Sequence, residues 1–246
     1  MAATGGTDAM RRALVLALAA LPLAACSTAS PPQRRGAPAE REFKVADLAK
    51  TDIDQVVEAH LDHSMASLKL LMEKLYRRNP RELQKSQLPS AEAAITRAFD
   101  PAFKWRFPEL DNRRGIELLH LAFAPDYGGD RVFAFIAGLG GMLHQAYNEQ
   151  KEFYLLDRLD PQNLYNAARN IEIAVWKLSN ARDERGNLLL LSNEAGPEGA
   201  NLSFEREFGK LIAYQDILAR ILAQRSRRTL RFVVQNAAGA MFLPIR

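Results

Sequence analysis

The stretch Val132–Leu143 is apolar on every side and holds no charged residue. A helix of that kind cannot lie on a surface with one face in water. At about 12 residues it is also too short to span a bilayer, which needs about 20. It must therefore be a buried central helix with other elements packed around it. Gly138, Gly140 and Gly141 interrupt it, each lowering intrinsic helicity by about 1 kcal/mol relative to Ala. Two circumstances offset such a loss: close approach of a neighbouring element, or room for a ligand.

The flanking sequence supplies partners with helical periodicity. Ile53, Val57, Leu61, Met65, Leu68, Met72 and Leu75 form one stripe. Thr51 with Asp54 fits a capping box at its start, and Arg77-Arg78-Asn79-Pro80 fits its end. A short helix is expected over Ala91–Phe99, closed by Asp100-Pro101. Another is expected over Asn112–Phe123, closed by Ala124-Pro125. Gly128-Gly129 reads as a turn, with Asp130 capping the central helix. Asp160-Pro161 is a strong start signal for a helix with Leu164, Ala168, Ile171, Val175 and Leu178 on one face. Phe204–Gln224 carries a further stripe through Phe204, Phe208, Leu211, Gln215, Leu218 and Leu222, with Ser203 as the expected cap. Leu230–Leu243 is the last apolar segment and is expected to be helical, although Phe232, Val233 and Val234 would also suit a strand. Between Asp183 and Leu202 no helical pattern exists. The leucine run Leu188–Leu191 there needs burial against the body or a partner. The expected fold is all-α: an irregular bundle of about six or seven helices preceded by a flexible tether.

The amino-terminal region has a different character. Arg11 and Arg12 precede an uncharged apolar run from Ala13 to Ala25, about 13 residues and again too short to cross a bilayer. A basic start, a short apolar core and small residues before a cut site make a secretory signal. The residues Leu23-Ala24-Ala25-Cys26 resemble the lipobox of bacterial lipoproteins. That resemblance implies that Cys26 is alkylated with diacylglycerol, that cleavage falls before it, and that the new amino terminus is acylated with a fatty acid such as palmitate. Cys26 is the only cysteine of the 246 residues, so it has no internal disulfide partner. Either Met1 or Met10 is compatible with translation start. By the same resemblance, Ser27 in the position after the cysteine, rather than Asp, directs a Gram-negative lipoprotein to the outer membrane. Residues 1–25 are thus read as a signal peptide and 26–42 as a lipidated tether. The tether is rich in Ser, Pro and Arg and without apolar residues able to form a core. About 15 such residues at roughly 3 Å each reach about 45 Å when stretched. Residues 43–246 are read as the helical periplasmic domain.

No catalytic residue, metal ligand or cofactor site is expected. Glu117 and His120 form one Glu-x-x-His pair, whereas di-iron bundles need two, with further Glu residues on other helices. His60 and His63 do not form a His-Glu-x-x-His motif. Neither a Gly-x-Ser-x-Gly nucleophile turn nor a phosphate-binding glycine loop is present. An envelope hydrolase, the third and least supported reading, would require buried carboxylates converging in a cleft, which are not expected.

Partners are indicated by charge. The chain has a formal net charge of +4, and its last 30 residues hold six arginines and no acid. Arg225, Arg227, Arg228 and Arg231 form a candidate contact with anionic phospholipid headgroups, each basic residue contributing about 1 kcal/mol. Basic residues at a helix C-terminus are also favoured by the dipole alone. Nucleic acid is not an expected partner in an envelope. The expected partners are the membrane, through acyl chains on Cys26, and an envelope protein. The leading expectation is a lipid-anchored binding or assembly module facing the periplasm. The alternative is a lipoprotein that holds a small apolar or lipid-like ligand near Gly138–Gly141 and residues 183–202.

Overall fold

The computed structural model describes residues 50–154, 158–196, 199–227, 230–231 and 241–245. The signal peptide, Cys26, the tether, Arg228 and most of the expected last helix lie outside the described residues. The described part is an all-α protein. Its helices are α1 (Asp52–Arg78), α2 (Pro80–Lys85), α3 (Ala91–Ala98), α4 (Ile116–Ala122), α5 (Arg131–Ala146), α6 (Pro161–Asn180) and α7 (Ser203–Ser226). A two-stranded antiparallel ribbon, β1 (Glu194–Gly196) with β2 (Gly199–Asn201), precedes α7.

α5 is the central helix that its composition demands. Every residue from Arg131 to Leu143 is buried, and α1, α2, α3, α4 and α6 all pack against it. Phe135, Ile136, Leu139, Met142 and Leu143 have no exposed surface. At about 1.5–3 kcal/mol per buried large side chain they contribute on the order of 10 kcal/mol. That outweighs the roughly 3 kcal/mol that three helical glycines cost. The glycines are where neighbours come closest. A Cβ on Gly138 would lie 3.0 Å from the main-chain nitrogen of Leu119 on α4. One on Gly141 would lie 3.0 Å from the nitrogen of Gly115. The ring of Trp105 fills the side of Gly140. Close approach, not an empty space, accompanies each glycine.

Local signals place most boundaries. Thr51 and Asp54 form the reciprocal capping box of α1. The Thr51 N–H donates to Asp54 Oδ2 at 2.7 Å. Asp130 accepts the Phe133 N–H at 2.9 Å, and Asp160 that of Gln162 at 3.0 Å. The stripe of α7 packs inward, with Phe204, Phe208, Leu211 and Leu218 buried. Gln215 on that stripe donates to Ser64 of α1 at 2.9 Å, so a polar pair bridges the two helices inside the core.

The structure differs from these expectations in several places. α4 begins at Ile116, not Asn112, because Asp111 and Asn112 both adopt left-handed backbone (φ 54° and 55°) and Gly115 has φ 57°. None of these continues a right-handed helix. Ser203 is the first residue of α7, not its cap; the Asn201 side chain accepts its N–H at 3.1 Å. The short α2 follows directly on Asn79, with Pro80 in its first turn, where apolar spacing predicts no helix. The described residues of 183–202 hold no helix, in line with the missing helical pattern, and are ordered by local bonds. The Asp183 carboxylate accepts the N–H groups of Arg185 and Asn187, Arg182 pairs with Leu188, and the β1–β2 ribbon follows. Of the four leucines only Leu190 is fully buried, and Leu191 is 44% exposed. Residues 230–231 and 241–245, the described parts of the last segment, are not helical.

Candidate functional site

A cleft of about 410 Å³ opens beside the N-terminus of α5, lined by Lys85, Leu88, Glu109, Tyr127, Asp130 and Phe133 among others. Asp130, from the turn before α5, is a buried carboxylate of its wall, and Glu82 of α2 is a second buried carboxylate bonded to the same helix terminus. This convergence was not expected from sequence. Asp130 Oδ1 accepts the Phe133 N–H, while Oδ2 accepts the Tyr76 hydroxyl at 2.7 Å. Glu82 Oε2 accepts the Arg131 N–H at 2.8 Å, and Oε1 accepts Lys85 Nζ at 2.6 Å. Thus two carboxylates together satisfy first-turn N–H groups of the central helix and face its positive dipole end. Burial pushes the Asp130 carboxyl up to about 6, opposed by the hydrogen bonds it accepts from Phe133 and Tyr76. Tyr127 is pushed up to about 12, mainly by burial and then by the Asp130 charge. Tyr76 is raised by the same causes. All four carboxylate oxygens are committed to hydrogen bonds. The arrangement stabilises a helix terminus more directly than it presents an acid–base pair to a substrate.

A second cleft, about 200 Å³, lies between α1 and the single turn Pro101–Phe103 that follows α3. Its apolar walls include Leu61, Met65, Phe99 and Trp105, and its rim carries both signs of charge, Lys69, Lys104 and Lys151 with Asp62 and Asp100. Lys104 and Trp105 are consecutive non-glycine residues with left-handed backbone, φ 48° and 60°. Such strain costs on the order of 1–3 kcal/mol per residue. It is held here by the seating of the indole against Gly140 and edge-on to Phe99, 5.2 Å between centroids. His144 of α5 also lines this cleft, and burial lowers its pKa.

The other residues singled out in the sequence are dispersed. Glu117 and His120 are exposed on α4, and the His120 ring meets Phe242 edge-on at 5.1 Å. His60 and His63 both contact the Tyr214 ring. Among the described residues no group of three or more His, Cys, Asp or Glu side chains is arranged to hold a metal ion. Arg225, Arg227 and Arg231 are exposed at or just beyond the C-terminal end of α7. Cys26 and Arg228 lie outside the described residues.

No protein-family profile, no curated protein and no solved structure matches the chain. Its class is defined by its own structure: an all-α, multi-helix protein built around a buried glycine-bearing helix.

Proposed function

We propose that this chain is a lipid-anchored envelope lipoprotein whose helical domain is a binding or assembly module, held at the periplasmic face of the outer membrane. The observation that carries this reading is Leu23-Ala24-Ala25-Cys26 placed directly behind a basic pair and a short apolar core. No helix among the described residues is long and apolar enough to cross a membrane. A diacylglyceryl group with a third acyl chain supplies anchoring of its own, at about 0.8 kcal/mol per buried methylene. The neighbouring Ser27 supports outer-membrane sorting. The commitment of Glu82 and Asp130 to capping favours a module over a hydrolase.

Expression of the Cys26→Ser variant with labelled palmitate tests the anchor. Loss of label together with release from the membrane fraction is expected; label that persists on the variant overturns the lipobox reading.

A second reading has one observation in its favour. The cleft walled by Phe99 and Trp105 adjoins Gly140 and combines apolar walls with a mixed charged rim of three lysines and two aspartates, Asp62 and Asp100, which suits a small amphipathic, lipid-like ligand.

A further inference from the structure

Gln162, Asn166 and Asn170 recur at intervals of four along α6, which sets them in one row on the helix. All three are carboxamides, and all three bond to main-chain groups of described C-terminal residues. Asn170 accepts the Leu243 N–H at 2.6 Å and donates to the Leu243 carbonyl at 2.8 Å. Asn166 donates to the Pro244 carbonyl at 2.9 Å. Gln162 accepts the Arg231 N–H at 2.8 Å and donates to the Arg231 carbonyl at 3.2 Å. It also donates to Asn166 Oδ1 at 2.9 Å, tying the row together.

A carboxamide carries the same donor and acceptor as a peptide group. Asn170 therefore stands to Leu243 as a residue of an adjacent β-strand would. Main-chain bonds of this kind hold an extended peptide, and side-chain contacts select it. Here the selecting contacts are Phe242, packed edge-on to His120 and against the core, and Ile245 beside the core. The seating is partial: Phe242, Leu243 and Ile245 pack down but keep some exposed surface, Pro244 is exposed, and Met241 is 78% exposed.

We propose that Asn166 and Asn170, braced by Gln162, form a peptide-binding site, filled in the free chain by its own residues 242–245. The partner is then a second protein that offers an extended segment with an aromatic residue, a residue with a free N–H, and a proline in succession. This names the partner class of the binding module and rests on that reading, although the groove itself does not depend on Cys26.

The test uses the full chain in detergent and a fluorescent peptide of residues 240–246. Phe242→Ala with Leu243→Pro opens the groove by removing the anchor and the N–H that Asn170 accepts. The opened chain is expected to bind the peptide at least tenfold more tightly than the native chain. Adding Asn170→Asp, which cannot donate to the carbonyl, erases the gain. An opened chain that melts cooperatively with native helicity yet binds no better overturns the proposal. So does one that loses cooperative melting, since the tail is then a fixed part of the fold. Chains that exchange tails and elute as dimers, which free peptide does not dissociate, also overturn it. Failure here leaves palmitate labelling at Cys26 unchanged, and failure of labelling leaves peptide affinity unchanged.

Discussion

The indole of Trp105 occupies the volume that any side chain at position 140 would need: a Cβ on Gly140 would lie 2.7 Å from ring Cε3 and closer still to Cζ3 and Cη2. The ring is rigid and its backbone is already left-handed, so it has little freedom to yield. Gly140→Ala is expected to destabilise the fold by about 1–3 kcal/mol through overpacking. In a Trp105→Ala background the same change becomes neutral or favourable, since Ala is the better helix former by about 1 kcal/mol. A denaturant double-mutant cycle reads the coupling. Additive effects show that the contact does not limit packing. Gly138→Leu, aimed at the main chain of Leu119, is expected to cost a similar amount.

Asp130 gives the fold a pH signature. Its folded pKa, about 6, lies above the unfolded carboxyl value of about 3.9. The folded state therefore holds the proton more tightly, and this stabilisation is fully present below about pH 4 and lost as pH rises through about 6. Asp130→Asn keeps a good N-cap but cannot titrate. The stability of the native chain relative to this variant is expected to fall by about 2–3 kcal/mol from pH 4 to pH 6 and then level off. Chemical denaturation across that range measures it. A constant difference refutes the buried-acid account.

Asn79 holds Leu191 in the same way that Asn170 holds Leu243. It accepts the Leu191 N–H at 2.7 Å and donates to the Leu191 carbonyl at 2.8 Å. Asn79→Ala is expected to cost about 1 kcal/mol, at the lower end for lost hydrogen bonds, because water reaches the exposed Leu191. Hydrogen exchange at the Leu191 amide should accelerate while amides of α5 stay protected. Unchanged exchange at Leu191 means that the β1–β2 region is held by other contacts.

The basic end of α7 is tested in the Cys26→Ser chain, where acyl chains no longer dominate binding. Changing Arg225, Arg227 and Arg231 to Ala should weaken association with phosphatidylglycerol vesicles by about 3 kcal/mol, on the order of a hundredfold. Equal binding by both proteins assigns these arginines to compensation of the helix dipole alone.

The sequence made the helices legible wherever apolar spacing and a capping side chain coincided. Thr51, Asp130 and Asp160 mark their helix starts by chemistry that acts within three residues. α4 was misplaced because its start is set by successive left-handed residues, Asp111 and Asn112, which apolar spacing does not reveal. Glu82 and Asp130 are separated by 47 intervening positions, and nothing local announces that both serve one helix terminus. The carboxamide row was visible as Gln162, Asn166 and Asn170 at intervals of four. Attention to apolar positions alone passes over it, because its partners are main-chain groups more than 60 residues away. The glycines of α5 signalled close approach, but not that Trp105, a remote ring on a strained turn, fills one of the gaps.

Asn79 and Asn170 fasten their segments without using a formal charge. Brine and acid, which loosen ionic ties, leave such joints closed. What opens them is another amide competing for the same donors and acceptors: a strand from a neighbour, or urea, the smallest molecule that mimics the clamp.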